Sequence, residues 1–60
     1  GADFEGANLE GANFNDCDLT GATFRFANLR GATFCSAVVR WVDWRDTNRT
    51  QCDFSSAIWL

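Results

Sequence analysis

Ala7-Asn8-Leu9-Glu10-Gly11 runs directly into Ala12-Asn13-Phe14-Asn15-Asp16, and the same form returns as Ala27-Asn28-Leu29-Arg30-Gly31. Cut into fives from Ala2, the 60-residue chain gives twelve such units, the last being the truncated Ala57-Ile58-Trp59-Leu60. Their third residues are Phe4, Leu9, Phe14, Leu19, Phe24, Leu29, Phe34, Val39, Trp44, Arg49, Phe54 and Trp59. Eleven of the twelve are bulky and apolar, and Arg49 alone is charged. The first residue of each unit is small: eight alanines, with Cys17, Val42, Thr47 and Cys52 in the other four places. Asn, Asp, Thr, Arg, Glu, Ser and Gly make up most of what is left.

A period of five fits neither regular element. On an α-helix it sets successive large residues about 140° apart, so no face collects them. On a straight strand an odd period sends alternate large residues to opposite faces. The chain must therefore turn within every unit. The small and large positions lie two apart, so both can point the same way on a short extended piece. The following step, rich in Gly, Asp and Ser, can carry a corner. Corners of one hand wind the chain into a solenoid, with the small and large residues inside and the polar ones outside.

The A-(D/N)-(L/F)-X-X pattern of Ala7–Gly11 and Ala27–Gly31 closely resembles the pentapeptide-repeat proteins. The likeness runs over the whole chain, is specific over residues 2–36, and decays after Ala37, where Val39, Trp44 and Arg49 replace Leu or Phe. It implies an all-β fold, a right-handed quadrilateral β-helix with four units per coil, so that this chain makes about three coils. The large residues themselves leave the coil length open: they are identical in five of ten pairs at a lag of ten and in four of eight at a lag of twenty.

With coils of twenty residues, side chains twenty apart stack at about 4.8 Å. The inward columns are then Phe4-Phe24-Trp44, Leu9-Leu29-Arg49, Phe14-Phe34-Phe54 and Leu19-Val39-Trp59. Alanines beside them suit a core one residue wide, which larger groups would overfill. Val42, Trp44 and Trp59 strain that limit, so the third coil is expected to be irregular. Charge sorts along the chain as −5 over residues 1–20 (five acids), +3 over 21–40 (three arginines) and −1 over 41–60 (three acids, two arginines). This register places Glu5 over Arg25 and Glu10 over Arg30, and such exposed rungs contribute roughly 0.2–1 kcal/mol each.

The residues available for chemistry are few. There is no His, Lys, Met, Pro or Tyr, so the commonest general base and the usual Schiff-base nucleophile are both missing. Cys17 and Cys52 read as small inward fillers in different columns. Cys35 points outward above Asn15 and below Ser55, where it could be a reactive thiol. No Cys-x-x-Cys spacing suggests a metal site. Asp16 and Asp18 could in principle share acid–base work, but a tube this thin offers no ligand-sized cavity. Asn48-Arg49-Thr50 matches a glycosylation acceptor and is read as chance. No enzyme activity, cofactor or metal is expected.

Two features remain. An unpaired guanidinium inside an apolar tube is very costly, so Arg49 is expected to escape outward through a bulge at residues 46–51. Val38, Arg40 and Trp41 should stack against Ile58 and Leu60, turning a side that begins with Asp18 and Thr20 apolar. A patch of that kind marks contact with another chain or with a cap from the same protein. The residues assigned to protein contact are Val38, Trp41, Arg49, Ile58 and Leu60.

Residues 1–60 are read as one module, a segment of a longer chain or a small subunit of a larger complex. Its expected role is a non-catalytic scaffold for protein–protein contact. The resemblance supplies an alternative, a DNA-mimic protein acting on a type II topoisomerase. That needs a long acidic rod, whereas three coils reach only about 14 Å and the middle one is cationic. A net charge of −3 argues against nucleic acid as partner. No apolar run approaches the roughly 20 residues of a membrane span. Nor does Gly1-Ala2-Asp3-Phe4 begin a secretory signal, and a soluble, cytoplasmic protein is expected.

Overall fold

The computed structural model describes all of residues 1–60. Its smallest feature is a turn. The Phe4 carbonyl accepts the Ala7 N–H at 3.0 Å, and between them Gly6 has φ 71°. A positive φ at the third residue of the turn alone defines a type II β-turn, which glycine adopts without strain. The same left-handed residue recurs every five positions, from Gly6 to Ser56.

The second residue of the unit completes the corner. Asp3 Oδ1 accepts the Glu5 N–H at 2.9 Å and Asn13 Oδ1 accepts the Asn15 N–H at 2.8 Å. Asn28, Asp43, Asn48 and Asp53 do the same for the N–H two residues on. These Asx turns satisfy a backbone donor that would otherwise face outward unpaired. Thr33 makes no such bond, and Asn15 of the neighbouring rung takes the Cys35 N–H instead at 2.8 Å.

Four corners bring the chain back above its start. Parallel bridges join Asp3 to Thr23 and Thr23 to Asp43, and likewise Asn8–Asn28–Asn48, Asn13–Thr33–Asp53 and Asp18–Val38–Ile58. Residues twenty apart are thus neighbours, and the molecule has four sides, each of three rungs. The first side carries Asp3, the second Asn8, the third Asn13 and the fourth Asp18. Each joint is held by backbone bonds, as in Phe4 N–H to Thr23 O (2.9 Å), Thr23 N–H to Ala2 O (3.0 Å) and Gly6 N–H to Arg25 O (2.8 Å).

The core lies along the axis. Ala22, Phe24, Ala27, Leu29, Ala32, Phe34, Ala37 and Val39 are all at most 2% exposed, and Leu19 completes the buried set. All but Leu19, which belongs to the first level, are the first and third residues of the middle level, the one with a neighbour on both faces. Phe4, Phe14, Trp44 and Phe54 on the outer levels pack against them but are only partly buried. Phenylalanines on the first and third sides form two ladders, with Phe4–Phe24 centroids 4.9 Å and Phe14–Phe34 centroids 5.0 Å apart. Across the axis the ladders meet edge to face, as at Phe24–Phe34, 6.0 Å and 86°, a favourable quadrupolar arrangement.

The third level corrects two expectations. It keeps the register of the other two, with bridges at Asp43, Asn48, Asp53 and Ile58, so it is not generally irregular. Nor do residues 46–51 bulge. Leu29 N–H donates to Asn48 O at 2.8 Å and Gly31 N–H to Thr50 O at 2.9 Å, and the turn bond from Cys52 N–H to Arg49 O is 3.2 Å. Arg49 needs no bulge because its rung has nothing stacked on its outer face, so the side chain leaves the tube with the backbone in place. The pattern lapses only at Arg40-Trp41-Val42, where the turn bond from Val42 N–H to Val39 O is missing. That corner combines a tryptophan in the left-handed position with a valine in the alanine position.

Candidate interaction surface

The left-handed position holds glycine at Gly6, Gly11, Gly21 and Gly31, but Phe26 at φ 62° and Trp41 at φ 55°. A bulky side chain there is a genuine outlier, costing about 1–2 kcal/mol. Neither ring is buried in return: Phe26 is 56% and Trp41 66% exposed. Phe26 is partly engaged by the Arg25 guanidinium, 5.3 Å above its ring.

Trp41 adjoins the fourth side, where the outward ladder runs Asp18, Val38, Ile58. Asp18 takes both the Thr20 hydroxyl at 2.6 Å and the Thr20 N–H at 3.1 Å. These bonds hold its carboxyl below the usual carboxylate range, with Arg40 adding a smaller pull. Val38 and Ile58 cannot accept such bonds. The side therefore changes along the axis from a carboxylate to exposed hydrocarbon, with Ile58 at 44% and Leu60 at 73% exposure. Val38 is half-buried between its ladder neighbours.

Arg49 is not part of this patch. It belongs to the second side, and its guanidinium lies 5.2 Å over the Trp44 ring at the open face of the third level. Of the five residues assigned to protein contact, Val38, Trp41, Ile58 and Leu60 share a side or its corner, and Arg49 stands apart. Phe26 is an exposed aromatic that the column reading did not single out. Its signal was available, since it is the first bulky residue to occupy the place of Gly6, Gly11 and Gly21.

A family model described as pentapeptide repeats, in 8 copies, matches residues 1–34. The chain belongs to the pentapeptide-repeat family. It is also similar to the crystal structure of a pentapeptide repeat protein (Rfr23) from the cyanobacterium Cyanothece 51142, with 25% identity and a TM-score of 0.61. That match covers 97% of this chain and 44% of the other, so the chain spans less than half of that protein's length. No curated protein matches.

Within this pentapeptide-repeat β-helix the other candidates for chemistry have structural occupations. Cys17 and Cys52 take the small inward position and pack against the core, and all three cysteines are free. Cys52 Sγ donates to Leu29 O at 3.0 Å, as Thr47 Oγ1 does to Phe24 O at 2.7 Å. Burial pushes the Cys52 thiol up. Desolvation, followed by the adjacent Asp53 carboxylate, pushes the Cys35 thiol up as well. Cys35 is thus the reverse of an activated thiol, because a low thiolate fraction makes a poor nucleophile. Asn48 Oδ1 accepts both the N–H and the hydroxyl of Thr50, at 3.0 and 2.7 Å.

The expected pairing of Glu5 with Arg25 and Glu10 with Arg30 is not formed. Arg25 turns to the next level instead, its Nε 4.0 Å from Asp43 Oδ2. Arg45 closes on the same carboxylate at 2.8 Å. Long side chains on adjacent rungs can reach up or down, and here an Asp already held in an Asx turn is the fixed partner. The Arg45 side-chain bonds, ahead of its backbone bond, lower Asp43 to about 2. No helix is long and apolar enough to cross a membrane.

Proposed function

We propose that the chain is a three-coil stretch of a right-handed quadrilateral β-helix that works as a non-catalytic scaffold. Its fourth side, Val38, Trp41, Ile58 and Leu60, serves as a protein-contact face. The observation that carries this reading is the ladder Asp18–Val38–Ile58 with Trp41 beside it. A strained and exposed tryptophan next to stacked exposed hydrocarbon has no internal use, and aromatic anchors of that kind dominate protein interfaces. The inner residues are consumed by packing and most second-position Asx residues by corners, which supports a non-catalytic reading. The module is read as part of a longer protein or assembly. Free thiols fit a reducing, cytoplasmic setting.

The DNA-mimic reading is less well supported. Residues 21–40 carry three arginines and no acid, against the uniform negative charge that such mimicry needs. A photoreactive group at position 40, beside Trp41 and exposed, activated in the native source, tests the favoured reading. The expected product is an adduct with another protein, lost in a Trp41→Ala, Ile58→Asp variant whose β spectrum is unchanged. Adducts confined to the same polypeptide would assign the face to an internal cap.

A further inference from the structure

Glu10 and Arg30 stack on adjacent levels of the second side, both exposed and of opposite charge. They form no ion pair, and Arg30 meets no other carboxylate. At the opposite edge of the same side the stacked residues are Gly6 and Phe26. A Cβ built on Gly6 meets nothing within 4 Å, whereas Phe26, strained at φ 62°, is 56% exposed. Between the two edges lie Asn8 and Asn28, whose Oδ1 atoms accept the Glu10 and Arg30 N–H at 3.3 and 3.1 Å. Each of those oxygens keeps a second lone pair, and each amide keeps two donors. Across the second side the first level thus presents Gly6, Asn8 and Glu10, and the middle level presents Phe26, Asn28 and Arg30. The two rows are complementary in charge and in volume.

We propose that the second side pairs with the second side of another copy, antiparallel, about a two-fold axis running between these two levels. That axis sets the first level of each copy against the middle level of the other. Glu10 then meets Arg30 and Arg30 meets Glu10, each Phe26 covers the open surface at Gly6, and Asn8 faces Asn28 with amides that can bond in both directions. A two-fold contact needs a self-complementary surface of this kind, because every match is made twice. The third and fourth sides lack it, since Asn15 would meet Cys35 and Asp18 would meet Val38. On the first side Arg25 is already drawn to Asp43. The paired side chains project sideways from the stack, so coils added at either end would leave them in place. The second side lies opposite the fourth, and the contact neither uses nor competes with Val38, Trp41, Ile58 and Leu60. Two levels of one side make a small face, well short of the roughly 800 Å² per partner that stable complexes bury. The pairing is therefore weak and concentration-dependent, and salt screens its ion pairs.

The test is sedimentation equilibrium at low salt over a concentration series reaching the millimolar range, with circular dichroism to confirm that each variant keeps the β spectrum. The natural chain is expected to pass from one chain to two as concentration rises. Arg30→Glu sets Glu10 against a glutamate at both contacts, and Glu10→Arg sets Arg30 against an arginine at both. Each variant alone should pair about tenfold or more weakly than the natural chain. An equimolar mixture of the two should recover two-chain particles, because every facing pair is then of opposite sign, and the double exchange Glu10→Arg, Arg30→Glu should pair with itself. Three outcomes overturn the proposal: the natural chain stays single throughout, either single variant pairs as tightly as the natural chain, or the mixture stays as weakly paired as its components. The mixing step separates this contact from an effect within one chain, which mixing cannot restore. Trp41→Ala should leave the pairing unchanged, and its loss in that variant would place the contact on the fourth side instead.

Discussion

Trp44 lies flat on Phe24, with ring centroids 5.2 Å apart and planes 7° from parallel. An indole thus continues a phenylalanine ladder without displacing it, because at the third level the tube is open above. Width is restrictive only where a level has neighbours on both faces. The same asymmetry fixes the energetic ranking of the ladder. Phe24 is fully buried and Phe4 only partly so. Phe24→Ala should cost about 3–5 kcal/mol, enough to unfold so small a module, while Phe4→Ala costs less and leaves it folded. Urea denaturation read by circular dichroism ranks the two, and equal losses would contradict a core centred on the middle level.

The left-handed corners give a prediction of opposite signs. A Cβ built on Gly31 meets nothing within 4 Å, and its φ is +72°. Gly31→Ala is therefore opposed by backbone conformation alone and should destabilise by about 1 kcal/mol. Trp41→Gly relieves strain at φ 55° and gives some of that back in unfolded-chain entropy, for a net gain of up to about 1 kcal/mol. Thermal midpoints check both. A stabilised Trp41→Gly chain that also loses its crosslinked partner would indicate that the tryptophan is kept for contact.

Much of this was legible in the sequence, for a physical reason. A period of five allows one turn per unit, so the inward residues of the middle level follow from the register, and Val38 stacks on Ile58 as the columns require. Arg49 was misplaced into a bulge because burial was assumed for every third residue, whereas burial depends on which levels are sandwiched. Arg25 was paired with Glu5 because adjacency was taken for contact. A long side chain chooses between rungs, and no column pattern encodes that choice.

Acid should weaken the fold in part through Asp43. Its folded value of about 2 lies below the ordinary aspartate value of 3.8, so it contributes stability above the unfolded value that is lost as pH falls from about 4 to 2. Thr20 and Ser55 likewise lower Asp18 and Asp53, which act in the same direction. Arg45→Ala removes the guanidinium hydrogen bonds that do most to hold Asp43 down, so its carboxyl should titrate closer to the ordinary range in an NMR pH series. An unmoved titration would show that the Asx turn alone sets it.

The thiols offer a chemical check. Cys35 and Cys52 are both pushed up, and Cys52 is tied to Leu29 O. Iodoacetamide at neutral pH should modify these two slowly in the folded chain and at ordinary thiol rates in urea. Rapid labelling of Cys35 in the folded chain would restore the reactive-thiol reading.

Hydrogen exchange can read the third level residue by residue. Asn48 N–H donates to Ala27 O at 3.0 Å and Asp53 N–H to Ala32 O at 3.1 Å, whereas Arg49 and Gln51 N–H have no acceptor. Exchange should therefore alternate along residues 48–53, slow at Asn48 and Asp53 and fast at Arg49 and Gln51, while Leu29 and Gly31 one level below are slow throughout. Uniformly fast exchange from 46 to 51 would bring back the bulge. Protection at Arg49 equal to that at Leu29 would mean that something covers the third level in solution.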